Sequence, residues 1–289
     1  MRSFSTKINK LGITALASTL ALGAAFSGTA LAGRGGSRDA IQSAVNANSI
    51  DAIQAELERS EHLVCAGCVD VVSPLVDHPD SRIRQVAAWW LARRGTSRQV
   101  YVAMLTRLSQ PDSVKARNAA DVLGEFKTGA AIPALGAALS NPLFTGEARA
   151  AMARALGAIG RAEAAAPLVQ SLADASPLVK AAALEALREV DGFHDGGVAV
   201  ALVGDVDAQV RATAVTTLGV MHTTTAASAL VQALANDPSE AVRKKAAWSL
   251  GEIGAPASAV GPALQLAAAK DTSPFVRSLA QASLGNLTR

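Results

Sequence analysis

From about residue 61 onward, apolar residues recur at three- and four-residue steps, the spacing that lines one face of an α-helix. Residues 226–253 display the unit most plainly. A first helix is predicted from Ala226 to Leu234, ending at Asn236-Asp237-Pro238. A second runs from about Ser239 to Ile253 and stops at Gly254. The second helix carries an apolar residue, a basic residue, a small pair and then Leu, and that order returns seven times. The segments are Ile83-Arg84 to Leu91, Lys115 and Arg117 to Leu123, Ala148-Arg149 to Leu156, Val179-Lys180 to Leu187, Val210-Arg211 to Leu218, Val242-Arg243 to Leu250, and Val276-Arg277 to Leu284. The Leu anchors stand 32, 33, 31, 31, 32 and 34 residues apart. Spacing this even marks stacked supersecondary units.

The units share local chemistry as well as period. Gly follows the anchor Leu at Gly124, Gly157, Gly219, Gly251 and Gly285, where a missing Cβ allows a neighbouring helix to come close. Ser176-Pro177 and Ser273-Pro274 supply a capping residue and a proline suited to the first helical position. Residues 38–60 are expected to form a helical N-terminal cap on an array spanning 61–289, and no low-complexity linker divides that array. The fold class is therefore all-α: an α-solenoid of about seven helix pairs, each burying its apolar face against its neighbours.

Composition agrees. Aromatic residues make up 3% of the chain, too few for a large sandwich of strands. The N-terminus reads as an export signal over residues 1–32. Arg2, Lys7 and Lys10 precede an apolar run from about Leu11 to Phe26, and Ala30-Leu31-Ala32 offers a small-x-small cleavage site before Gly33. Residues 33–37 would then be a mobile leader, and the expected location is periplasmic or extracellular. The net charge of +3 equals the three basic residues of that signal. A mature chain near neutrality gives no basic patch for nucleic acid, and no second long apolar segment suggests a membrane span.

The repeating unit resembles HEAT repeats, in the short form of phycobilisome-lyase-like proteins, over about residues 61–289. The residues that carry the resemblance are an Asp before the second helix and a basic residue six positions later: Asp174/Lys180, Asp205/Arg211, Asp237/Arg243 and Asp271/Arg277. The resemblance implies that such pairs form a ladder linking consecutive units. The third unit departs, with Leu143 at the Asp position, and the second has its charges shifted. Some relatives attach or detach bilins, on a cytoplasmic substrate that an exported chain would not meet. Deoxyhypusine hydroxylase, another helical-repeat relative, holds iron through His-Glu dipeptides. None occurs here; only the reversed Glu61-His62 does. The resemblance thus brings a binding surface and no cofactor.

Two features stand out as candidate sites. Cys65 and Cys68 are the only cysteines. At three residues' separation on a helix their Cα atoms would lie about 5 Å apart, within disulfide range. A local disulfide, a pair of structural thiols, a redox-active pair, and a metal site with His62 are the open readings. Covalent haem attachment needs His directly after the second Cys, where Val69 stands. The second feature is a column on the second helices: Trp89, Asp121, Arg154, Glu185, Thr216, Trp248 and Ala282, with Arg93, Glu125, Ala158, Glu189, Val220, Glu252 and Asn286 one turn on. Its polarity suggests a solvent-facing wall, and exposed Trp is a favoured interface anchor. Partner-binding residues are expected to be Trp89, Arg93, Lys244, Lys245 and Trp248. The competing reading has each Trp folded over the next helix as packing. His78, His194 and His222 read as surface residues, and no G-x-S-x-G, phosphate-loop or H-E-x-x-H motif occurs. The chain is thus expected to be a protein-binding scaffold without catalytic residues, a bound metal or a cofactor. The alternative is a redox- or metal-linked accessory protein acting through Cys65 and Cys68.

Overall fold

A computed structural model of the chain describes residues 36–62, 65, 67–95 and 97–287. The expected signal lies outside the described residues. Gly36 is buried against Ser60, and Ser37 caps the first helix through Oγ, so the fold takes in the last two residues of the expected leader.

Helices α1 (Arg38–Asn46) and α2 (Ile50–Arg59) form an N-terminal hairpin. Next, α3 (Cys68–Val72) runs into a 3-10 turn over Ser73–Asp77, and α4 (Ser81–Ala92) follows. Five helix pairs follow, interrupted by one irregular unit after the first three. They are α5 (Ser97–Leu108) with α6 (Ser113–Phe126), α7 (Ile132–Leu139) with α8 (Gly146–Ile159), and α9 (Ala165–Ser171) with α10 (Pro177–Leu187). A 3-10 segment over Gly196–Gly204 then precedes α11 (Ala208–Val220), and α12 (Ala227–Asn236) with α13 (Glu240–Glu252) follows. The final pair is α14 (Ala257–Lys270) with α15 (Pro274–Leu287). No strand occurs among the described residues.

Each second helix packs on the next, in the order α2, α4, α6, α8, α10, α11, α13, α15. The first helices touch their successors more sparingly. The tighter row must lie on the inside of the bend, so the second helices form the inner wall of an all-α solenoid. Leu91, Leu123, Leu156, Leu187, Leu218 and Leu250 are completely buried between the rows. The glycines that follow them explain the close spacing. A Cβ on Gly124 would lie 3.1 Å from the Ala155 Cα, and one on Gly157 would lie 2.8 Å from the Ala186 Cα.

The fifth unit departs from the expected helix pair. Its first element is 3-10 throughout, starting at Gly196-Gly197, ending at Gly204 and rich in Val between, a composition that holds an α-helix poorly. A side chain at Gly196 would also collide with Thr223. The apolar core divides in this neighbourhood, one cluster running from Ile41 to Val190 and the other holding Leu184, Ala199 and the units beyond.

An ion-pair ladder runs across the later interfaces. Arg149 pairs with Asp174 at 2.9 Å, Lys180 with Asp205, Arg211 with Asp237 at 2.7 Å and Arg243 with Asp271 at 2.9 Å. Each Asp also accepts a backbone N–H at the start of its own second helix, from Ser176, Asp207, Ser239 and Ser273 respectively. The arginines turn back as well: Nη1 of Arg211 donates to Asp205 O and that of Arg243 to Asp237 O. The three Asp/Arg pairs named within a unit are thus joined through the backbone, as Arg277 Nη1 to Asp271 O also shows, and the charges meet across units. At the first interface no Asp stands in register, and Arg84 reaches Asp121 on the next second helix instead, at 3.0 Å.

Burial opposes ionisation of Asp174, Asp205, Asp237 and Asp271. The basic side chain and the helix-start amide outweigh it, so all four carboxyls are held below the ordinary range. A folded-state pKa below the unfolded one gives stability that is complete above the unfolded value of about 3.9 and is lost as pH falls through the folded values. Melts should accordingly hold steady from about pH 7 to 5 and drop below about pH 4. Asp271→Asn should show a shallower acid loss; an identical acid slope in variant and parent would contradict this role for the ladder.

Candidate functional site

The four-residue step along each second helix places one column of side chains toward the inside of the bend. None of its members is buried. Asp121 is committed to Arg84, and Thr216 Oγ1 donates to Ala212 O within its own helix. Arg154, Glu185 and Glu189 are exposed.

Trp89 on α4 is half-buried. The Arg93 guanidinium lies 4.4 Å from its ring centroid, and Arg93 Nη1 donates to Trp89 O at 2.8 Å. Arg93 Nε stands 3.4 Å from the Glu61 carboxylate. Trp90, one position on, is fully buried; its Nε1 donates to Ser60, and Arg94 stacks 3.8 Å from its ring while Nη2 also reaches Ser60 O. The N-terminal hairpin is thereby clamped to the first unit, which fixes the floor on which Trp89 stands.

In front of Trp89 the wall opens into a groove of about 560 Å³, lined from α2 and its following turn by Gln54, Glu58 and Glu61, from α4 by Arg82, Gln85 and Val86, and from α6 by Glu125. Burial pushes the Glu125 carboxyl upward; Lys127 and Arg93 pull it down by less, and Asp121 adds to the rise. The sequence reading treated 38–60 only as a cap and so missed Gln54 and Glu58. Their four-residue step on α2, in line with Gln85 and Trp89 on α4, was the available signal.

Trp248 on α13 is also half-buried, and its ring lies over α11: a Cβ at Gly219 would come within 2.8 Å of its Cζ3. Lys244 is exposed and Lys245 partly so. Trp89 and Trp248 share a register, yet α6, α8, α10 and α11 lie between them, and the groove before Trp89 takes no residue from α13.

Cys65 and Cys68 are joined in a disulfide, with Cα atoms 5.3 Å apart. Cys65 precedes α3 and Cys68 is its first residue, so the bridge closes the turn into the helix and does not lie within it. Cys68 is completely buried and Cys65 partly exposed. His62 is exposed beside Glu61, and among the described residues no group of three His, Cys, Asp or Glu side chains is placed to hold a metal ion. His78 is partly exposed, and His194 and His222 are exposed. No described helix is long and apolar enough to cross a membrane. Titration with a thiol reagent should find no free thiol before reduction and both cysteines after it; two thiols in unreduced, denatured protein would contradict the bridge.

The model of HEAT repeats matches residues 101–188 and 198–285, more than half of the chain, and its two segments divide at the irregular fifth unit. The chain belongs to the HEAT-repeat family. Among solved structures, this HEAT array is similar to YibA of Escherichia coli, with 15% identity, 82% of this chain and 87% of that one covered, and a TM-score of 0.53. An engineered protein aligns at 25% identity over 83% of this chain and 71% of its own, with a TM-score of 0.50. The CpcE–CpcF complex of phycocyanin lyase from Nostoc aligns at 21% identity over 75% of this HEAT array and 94% of that chain, with a TM-score of 0.41. No curated protein matches the sequence.

Proposed function

We propose that the chain is an exported, non-enzymatic scaffold that holds a protein partner against the inner wall of its HEAT solenoid. A HEAT array is in general a protein-binding surface, because stacked helix pairs leave a long concave face open. The observation that carries the reading is that face itself: a column with no buried member, bearing two half-exposed tryptophans where polar residues prevail. Trp89 and Arg93 would anchor the partner at one end, and Lys244, Lys245 and Trp248 at the other. Half-buried Trp loses little conformational freedom on binding and offers a large apolar area, which suits it to that task. Export rests on the charged, apolar and small-residue order of residues 1–32.

Capture from the exported fraction tests both parts. The parent, immobilised, should retain a partner that the Trp89→Ala/Trp248→Ala variant releases, with unchanged helical content in both. Equal retention would sink the wall reading, and a cytoplasmic, unprocessed chain would sink export. The bridge before α3 supports a second reading, a redox accessory acting through Cys65 and Cys68, since the first cysteine is accessible and the second is not. A bridge reduced at mild potential would favour it, and resistance to mild reductant would count against it.

A further inference from the structure

The groove before Trp89 is too small for a folded domain and wide enough for side chains of an extended segment. Its charges are unevenly matched. Arg82 is already engaged: Nε and Nη2 donate to the Asp80 carboxylate at 3.3 and 3.2 Å, and Nη1 lies 3.8 Å from Asp51. Glu61 is matched by Arg93. Glu58 has only the neutral Gln54 amide, at 2.8 Å. Among the described residues no cation lies within ion-pair distance of Glu58 or Glu125. Two carboxylates from different helices, α2 and α6, thus face one groove with an indole between them on α4. Arg93 shows what that indole accommodates, since a guanidinium already stacks on it at 4.4 Å. A carboxylate pair and an aromatic ring together select a delocalised cation over a neutral or acidic group.

We propose that this groove binds an arginine side chain carried by a basic segment of a partner protein, with Glu58 and Glu125 neutralising the guanidinium and Trp89 stacking against it. The proposal rests on the inner wall being the partner-binding face and names the chemistry that face selects at its N-terminal end. Binding would also relieve Glu125, whose carboxylate is partly desolvated and feels Lys127 and Arg93 only from beyond ion-pair distance.

The test uses the full chain and a short dye-labelled peptide of alternating arginine and glycine, followed by fluorescence anisotropy. Two control peptides carry citrulline, which keeps the shape without the charge, or glutamate in place of arginine. The arginine peptide should bind about tenfold or more tightly than either control, and its affinity should fall as salt rises. Glu58→Gln combined with Glu125→Gln should weaken it roughly tenfold and flatten the salt dependence, with an unchanged melt. Trp89→Ala should weaken it by a similar factor. Equal binding of the citrulline peptide, or parental affinity in the double glutamine variant, would overturn the proposal. If that happens while capture of the natural partner still depends on Trp89 and Trp248, only the choice of cation fails. If the capture difference vanishes while charge-dependent peptide binding persists, the scaffold reading fails instead.

Discussion

Asp237→Ala should destabilise the array by about 3 to 5 kcal/mol, the cost of stranding one member of a buried ion pair. The Asp237 side chain is 6% exposed and that of Arg211 is 13% exposed. Asp237 accepts from Arg211 Nε at 2.7 Å and Nη2 at 3.0 Å, and from the Ser239 amide at 2.8 Å. Removing the carboxylate leaves two guanidinium donors and one helix-start amide without their acceptor. The arginine cannot simply swing to water, because Nη1 is fastened to the carbonyls of Asp205 and Val206. The midpoint of melting should fall by roughly 10 °C for a chain of this size. In a solenoid the interface term is local, so hydrogen exchange should quicken first in α11 and α13 and the transition should broaden. Asp237→Asn keeps an acceptor for the turn and should lose less. Arg211→Met with Asp237→Leu should regain most of the loss, since the stranded charge is what costs. An Asp237→Ala variant no weaker than Asp39→Ala, where the side chain is 95% exposed, would rule this out.

The contrast between ladder and wall shows what the sequence could carry. Period and small-residue pattern made the helix pairs legible, because each pair repeats the same burial problem and solves it with the same residues. The Asp and Arg positions were legible for the same reason. That they form a ladder between consecutive units came only from the family resemblance, and the charges do run from Lys180 to Asp205 and from Arg211 to Asp237. A neighbour one unit away has no signature in a single unit's spacing. The groove escaped for a related cause. It takes one wall from α2, a helix that carries none of the repeat's marker residues, so only its place in the stacked row brings Glu58 near Trp89. The 3-10 character of Gly196–Gly204 was written in its glycines and valines, but the period of the array outweighed it.

The same substitution at two glycines should move stability in opposite directions. Gly157→Ala should cost about 1 to 3 kcal/mol. Its Cβ would stand 2.8 Å from both Cα and Cβ of Ala186 on α10 and 3.2 Å from that residue's carbonyl oxygen. Those atoms belong to a helix backbone and cannot rotate aside, so α8 and α10 must separate. The Cβ of Gly285→Ala, exposed on α15, meets nothing within 4 Å and the residue stays in helical conformation, so the change should gain about 0.5 to 1 kcal/mol from reduced freedom of the unfolded chain. Paired urea titrations would read both signs against one parent. The first change bears on function as well. Gly124, Gly157, Gly219 and Gly251 set how closely the second helices approach, and that approach sets the bend of the inner wall. Prising α8 from α10 should spread Arg154 from Glu185 and straighten the face a partner would follow. Parental stability in Gly157→Ala would mean that the second helices do not touch there, and the concave wall behind both proposals would lose its footing.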